Sequence, residues 1–186
     1  LSGVNLSNTD LSGKDLTGTT LVRANLSGAN LEDVDLSGLD LSVANLSNTD
    51  LSGKDLTGTI LVGANLSGAN LEDVDLSGLN LSGVNLSNTD LSGKDLTGSL
   101  FLSASAFKSN FTNVIFDDSS LNIQSLHSTM SDADFSNVGN LDRKDFRSTD
   151  LSGVALANAE MSGVNLALAN IEKSQINNAN MSFGNF

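Results

Sequence analysis

The 186-residue chain contains no cysteine, proline, tryptophan or tyrosine. Lack of cysteine excludes disulfides and thiolate metal sites. Lack of proline suits a backbone that needs nearly every N–H for pairing. Aromatic residues make up 4% of the chain, so its core must be aliphatic. Basic residues are also scarce: 9 Lys and Arg stand against 22 Asp and Glu, for a net charge of −13. That balance argues against direct binding of nucleic acid or of an anionic membrane surface. No apolar run approaches the ~20 residues of a membrane-spanning helix. No signal-peptide pattern opens the chain. Leu1 already lies inside a repeat, so a fragment or a processed form of a longer chain is expected.

What the chain has is a period. Leu occupies position 1 and every fifth residue through Leu96. Phe101, Phe111, Phe116, Leu121 and Leu126 continue the register, and Leu141 to Phe186 resume it. Asn or Asp precedes most of these residues, as at Asn5, Asp10, Asp15 and Asn25. A small residue often sits one place earlier (Ala24, Ala29, Thr9), and Gly commonly follows two places after the Leu (Gly3, Gly13, Gly18). A step of five on an α-helix leaves successive leucines about 140° apart. On a flat strand an odd step sends them to alternate faces. Both conflicts vanish if the chain turns a corner once per repeat. Every Leu then points to one axis, and the Asn, Asp and Gly residues supply the turn chemistry.

A longer repeat sets the number of sides. Residues 1–40 and 41–80 differ only at positions 3, 4, 20, 23 and 40 of the block, and residues 81–100 begin a third copy. Forty residues make two four-sided coils of 20, but no whole number of three-sided, 15-residue coils. Four sides are therefore expected.

Ala24-Asn25-Leu26-Ser27-Gly28 and Ala29-Asn30-Leu31 match the pattern A-(D/N)-L-x-x, and the chain resembles the pentapeptide-repeat family over essentially its whole length. The resemblance implies an all-β fold: a right-handed quadrilateral parallel β-helix, with the Leu or Phe and the small residue two places before it facing inward. At 20 residues per coil, 186 residues give roughly nine coils. At ~4.8 Å per coil the rod is ~45 Å long. The whole chain, 1–186, reads as a single domain. Within it 1–100 are near-identical repeats, 101–145 are irregular coils with a possible bulge or loop, and 146–186 are regular again. In the irregular part Ala106 takes a core slot beside Phe107. Ser131 and Ser136 fill slots where Leu is expected, while Met130 and Phe135 fall one place early.

Few residues suggest chemistry. His127 is the only histidine, with Ser128, Asp132 and Asp134 nearby. No nucleophile elbow accompanies them, so no catalytic residue is assigned and the chain is not expected to be an enzyme. The acidic residues lack calcium-loop spacing, and no metal or cofactor is expected. Their simplest role is to bond backbone N–H groups at the corners. Lys14, Lys54 and Lys94 fall in inward slots, alternating with Val34 and Val74. Their stems are expected to lie along the wall with the heads in solvent near Asp15, Asp55 and Asp95. A basic binding stripe is the sharper alternative. Glu32, Asp33 and Asp35, then Glu72, Asp73 and Asp75, form acidic clusters two coils apart, and Asp117 and Asp118 add a third. These form a candidate acidic binding surface. Asn5-Leu6-Ser7 and similar triplets match the N-glycosylation pattern, but they arise automatically from the repeat.

The functional expectation is a non-enzymatic protein-interaction scaffold with an acidic surface and a bacterial origin, either cytoplasmic or a secreted effector. One alternative is DNA mimicry. The resemblance extends to the bacterial quinolone-resistance proteins, acidic rods that bind DNA gyrase. The charge of −13 over ~45 Å is about one per 3.5 Å, roughly half the density of B-DNA. A second alternative is a structural spacer, or a rod lengthened with consensus repeats. The partner is expected to be another protein. An open end exposes unpaired strands and an apolar cross-section, so the ends are expected to be capped by a further segment or by end-to-end stacking into a homodimer, through Phe186 and Met181.

Overall fold

The computed structural model describes residues 1–117, 134–137, 141, 146–156 and 161–176. Asp118, His127, Ser128, Met130, Ser131, Asp132, Met181 and Phe186 lie outside the described residues. So do the proposed end contacts.

Each repeat forms a four-residue turn that starts at its Leu. The amide of Val4 donates to Leu1 O at 3.2 Å, Ala24 to Leu21 O at 2.9 Å and Ala44 to Leu41 O at 3.0 Å. The third residue of each turn has positive φ, as a type II turn requires. Glycine takes that place without strain, as at Gly28 with φ 62°. Asn and Asp begin the turn from outside. The amide of Ser27 donates to Asn25 Oδ1 at 3.1 Å, and that of Thr57 to Asp55 Oδ1 at 2.8 Å.

Four such turns close one coil. Parallel bridges join residues 20 apart, from Asn5 to Asn25, Asn45, Asn65 and Asn85 in sequence. That spacing makes the helix four-sided. Face A is centred on Leu6, Leu26, Leu46, Leu66 and Leu86. Face B is centred on Leu11 and the residues 20, 40, 60 and 80 beyond it, face C on Leu16 and its equivalents, and face D on Leu21, Leu41, Leu61, Leu81 and Phe101. The Leu and the small residue two places earlier both point inward: Ala24, Leu26, Ala44 and Leu46 are fully buried. Each buried Leu contributes roughly 1.5–3 kcal/mol against the ordering of its coil. Where Thr or Ser takes the small slot, its hydroxyl finds a carbonyl. Thr49 Oγ1 donates to Leu46 O at 2.6 Å, and Ser99 Oγ to Leu76 O at 2.6 Å. Among the described residues no buried side-chain polar atom lacks a partner.

The coil that begins at Phe101 keeps this register. Phe101, Ala104, Ala106, Phe111, Val114 and Phe116 are all fully buried. Phe107 points outward, with Lys108 Nζ 5.4 Å from its ring centroid. Strand β1, Ile115–Asp117, pairs in parallel with β2, Asp134–Asn137. Ile115 faces Asp134 and Asp117 faces Asn137, so one residue more lies between the partners on β2 than on β1. That mismatch is the signature of a bulge.

Val43 holds a turn position at φ 59° and is 54% exposed. A β-branched residue is strained there, and its side chain buries little in return. Val43→Gly is therefore expected to raise stability by about 1 kcal/mol in thermal or denaturant unfolding. A lower midpoint for the variant would show that the turn is not strained.

Candidate acidic surface

The four faces divide the charge unequally. Through residue 103, face A carries no charged residue: it stacks Asn5, Asn25, Asn45, Asn65 and Asn85 beside serines. Face D carries only Arg23 and Asp40, and exposes Val43, Ile60, Val62, Leu100 and Leu102. Face B holds Asp10, Glu32, Asp33, Asp50, Glu72, Asp73 and Asp90 with no base. Face C holds Asp15, Asp35, Asp55, Asp75 and Asp95, partly offset by Lys14, Lys54 and Lys94. Faces B and C share a corner, so the acid occupies one side of the rod.

The sequence-derived clusters map onto that side. Glu32, Asp33, Glu72 and Asp73 are exposed on face B, and Asp35 and Asp75 are exposed around the corner on face C. Asp33 and Asp73 both sit at φ 55°, in the place glycine takes in most repeats. Asp117 is half-buried, and its Oδ2 accepts the Gly98 amide at 2.7 Å, so this carboxylate is committed to the preceding coil.

Eight aspartates, at positions 10, 15, 35, 40, 50, 55, 75 and 90, are held below the ordinary 3.8 by the Ser or Thr two residues on, through its hydroxyl and its N–H. At Asp35 the stacked carboxylates of Asp55 and Asp15 push weakly the other way, and the turn bonds win. All eight are ionised at neutral pH.

The lysines correct an expectation. The heads of Lys54 and Lys94 do not reach out to the aspartate that follows each of them. Lys54 and Lys94 are half-buried, and Nζ donates to Val34 O at 3.1 Å and to Val74 O at 2.9 Å. Each ammonium thus bridges to a carbonyl of the preceding coil. Lys14, in the first coil, is exposed. The cause is a gap in the backbone ladder, which the sequence did not disclose. A cleft of about 490 Å³ lies between coils, lined by Glu32, Asp33, Asp50 and Lys54 among others. Another of about 700 Å³ repeats it 40 residues later, lined by Glu72, Asp73, Asp75, Asp90, Lys94 and Asp95. The alternation of Lys with Val in one column was the visible signal.

Among the described residues no group of His, Cys, Asp and Glu is arranged to hold a metal ion. No helix in them is long and apolar enough to cross a membrane.

Comparison with solved structures finds the same coil. HetL, a pentapeptide repeat protein involved in heterocyst differentiation regulation from the cyanobacterium Nostoc sp. strain PCC 7120, superposes with a TM-score of 0.66 at 24% identity, covering 100% of this chain and 86% of its own. QnrB1, a plasmid-mediated fluoroquinolone resistance protein, aligns at 21% identity over 93% of this chain and 84% of its own, with a TM-score of 0.38. A pentapeptide repeat protein of the Arabidopsis thaliana thylakoid lumen is 30% identical over 63% of this chain and 68% of its own, with a TM-score of 0.26. Comparison with curated proteins returns no match. The fold is the right-handed quadrilateral β-helix. The family profile for pentapeptide repeats matches in 8 copies, over residues 1–38, 40–78, 80–118 and 140–182. With that match spanning most of its length, the chain belongs to the pentapeptide-repeat family.

Proposed function

We propose that this chain is a non-enzymatic interaction rod whose acidic faces B and C receive a basic surface of another protein. The observation that carries this reading is the partition of charge onto two adjacent faces. Net charge spread evenly would serve solubility alone; collected on one side, it orients a partner and speeds encounter. Glu32, Asp33, Asp35, Glu72, Asp73 and Asp75 form the centre of the proposed contact.

The test uses the partner captured by the wild-type rod. Neutralising Glu32, Asp33, Glu72 and Asp73 to Gln or Asn is expected to weaken its binding at least ~10-fold, and raising salt from 0.05 to 0.3 M should do the same to wild type. Equal binding by the neutralised rod, or insensitivity to salt, removes the reading.

DNA mimicry is the second reading, favoured by the single-file carboxylates of face C. On that reading the rod inhibits supercoiling by DNA gyrase or protects it from quinolone at micromolar concentration. Neither effect in a supercoiling assay leaves the basic-protein reading standing alone.

A further inference from the structure

On faces B and C the outward Asn and Asp residues stack in two columns. One alternates: Asp10, Asn30, Asp50, Asn70, Asp90, Asn110. The other is Asp15, Asp35, Asp55, Asp75 and Asp95, followed by Ile115. Each Asn or Asp spends one oxygen on its own turn. The amide of Glu32 donates to Asn30 Oδ1 at 3.0 Å, and that of Ser52 to Asp50 Oδ1 at 3.1 Å. The second polar atom is left to meet the preceding coil. In Asn it is Nδ2, which donates: Asn30 to Asp10 Oδ1 at 3.1 Å, Asn70 to Asp50 at 3.0 Å and Asn110 to Asp90 at 3.0 Å. In Asp it is a second oxygen, which cannot donate.

The backbone follows this difference step by step. Beneath Asn30, Asn70 and Asn110 the ladder is made: the amides of Leu11, Leu51 and Leu91 donate to their carbonyls, each at 2.9 Å. Beneath Asp50 and Asp90 the corresponding bonds from Leu31 and Leu71 are missing. Beneath Asp35, Asp55, Asp75 and Asp95 the bonds from Leu16, Leu36, Leu56 and Leu76 are missing as well, although the Gly38 and Gly78 amides still donate across two of these seams, to Thr57 O at 2.9 Å and Thr97 O at 3.0 Å. Ile115 stands over Asp95 and its seam is closed, with the Leu96 amide donating to Ile115 O at 3.0 Å. On faces B and C a carboxylate on the earlier coil therefore does not open a seam and one on the later coil does; on face D, Asp40 stands over Thr20 and the Leu21 amide still donates to Asp40 O at 3.0 Å. Asn80 above Ile60 also lacks the bond from Leu61, so one seam on face D is open without a carboxylate. Face A, with Asn over Asn, is closed throughout these coils.

We propose that the later-coil aspartates of faces B and C are charge-operated spacers, each keeping the Leu amide beneath it from joining the ladder, while face A keeps the coils joined. Removing a single carboxylate in favour of an amide zips the seam beneath it. The clefts at Glu32–Lys54 and Glu72–Lys94 are the open state of this device, with Lys54 and Lys94 occupying carbonyls that the ladder has released.

Amide hydrogen exchange on the folded chain tests it. In wild type the Leu31 and Leu71 amides are expected to exchange at least ~10-fold faster than those of Leu11 and Leu51. Asp50→Asn should slow Leu31 to the rate of Leu11. Asn30→Asp should do the opposite at Leu11. Asp10→Asn removes the same charge from the same column, but from the earlier side of a closed step, and should leave Leu11 unchanged. Circular dichroism establishes that each variant is folded. Equal protection of Leu31 and Leu51 in wild type, or a Leu31 rate unmoved by Asp50→Asn in a folded rod, overturns the proposal.

Discussion

Truncating Phe111 to alanine is expected to destabilise the rod by about 3–5 kcal/mol, the usual cost of emptying an aromatic core site. Phe111 is fully buried, and its ring centroid lies 5.7 Å from that of Phe116. Phe101, Phe111 and Phe116 take core slots that Leu fills in the coils before them, so the packing here is built around rings. A rod cannot collapse onto such a cavity easily, because the width of each coil is fixed by its neighbours. At roughly 2–4 °C per kcal/mol for a chain of this size, the melting point should fall by about 10 °C. Phe107→Ala is the control. That side chain is 43% exposed and packs against Lys108, so its loss should cost under ~1 kcal/mol. A Phe111→Ala variant as stable as the Phe107→Ala variant would mean that the aromatic coil is not packed as described.

Acid is the second large perturbation. The eight lowered aspartates have folded pKa values below their ordinary 3.8. A depressed carboxylate stabilises the fold above its unfolded pKa, and the stabilisation is lost as pH falls through the folded value. Stability should therefore be flat from pH 7 to about 5 and fall steeply below about pH 4, where the turn bonds from Ser12, Thr17 and their equivalents weaken together. Melting followed from pH 7 to pH 2.5 checks this. A rod that melts higher at pH 3 than at pH 7 would mean that repulsion within the columns outweighs the turn bonds. Asparagine substitution differs from protonation: Asn keeps a good acceptor for the turn amide while removing the charge.

Much of the architecture was legible because it is repeated. Leu21, Leu46 and Leu66 are buried because a five-residue bend leaves them nowhere else to point, and the 40-residue duplication fits only a coil whose bridges span 20 residues. Ala106 against Phe107 was also decidable, since the register selects the smaller residue for the inside. The seams were not. The alternation of Asp10, Asn30 and Asp50 is plain in the sequence, but nothing in one dimension says which side-chain atom faces which coil. The donor direction appears only once the coils are stacked. The lysine heads were misplaced for the same reason: the carbonyls of Val34 and Val74 are free to accept them only because the ladder has parted there.

The unbroken backbone ladder of face A has a mechanical consequence. Pulled along its axis, the rod would carry the load on that side, where neighbouring coils are joined by backbone bonds and by amide contacts such as Asn45 Nδ2 to Asn25 Oδ1 at 3.2 Å. Rupture would start at the opposite edge, at Asp35 or Asp75, and peel toward the asparagines one coil at a time.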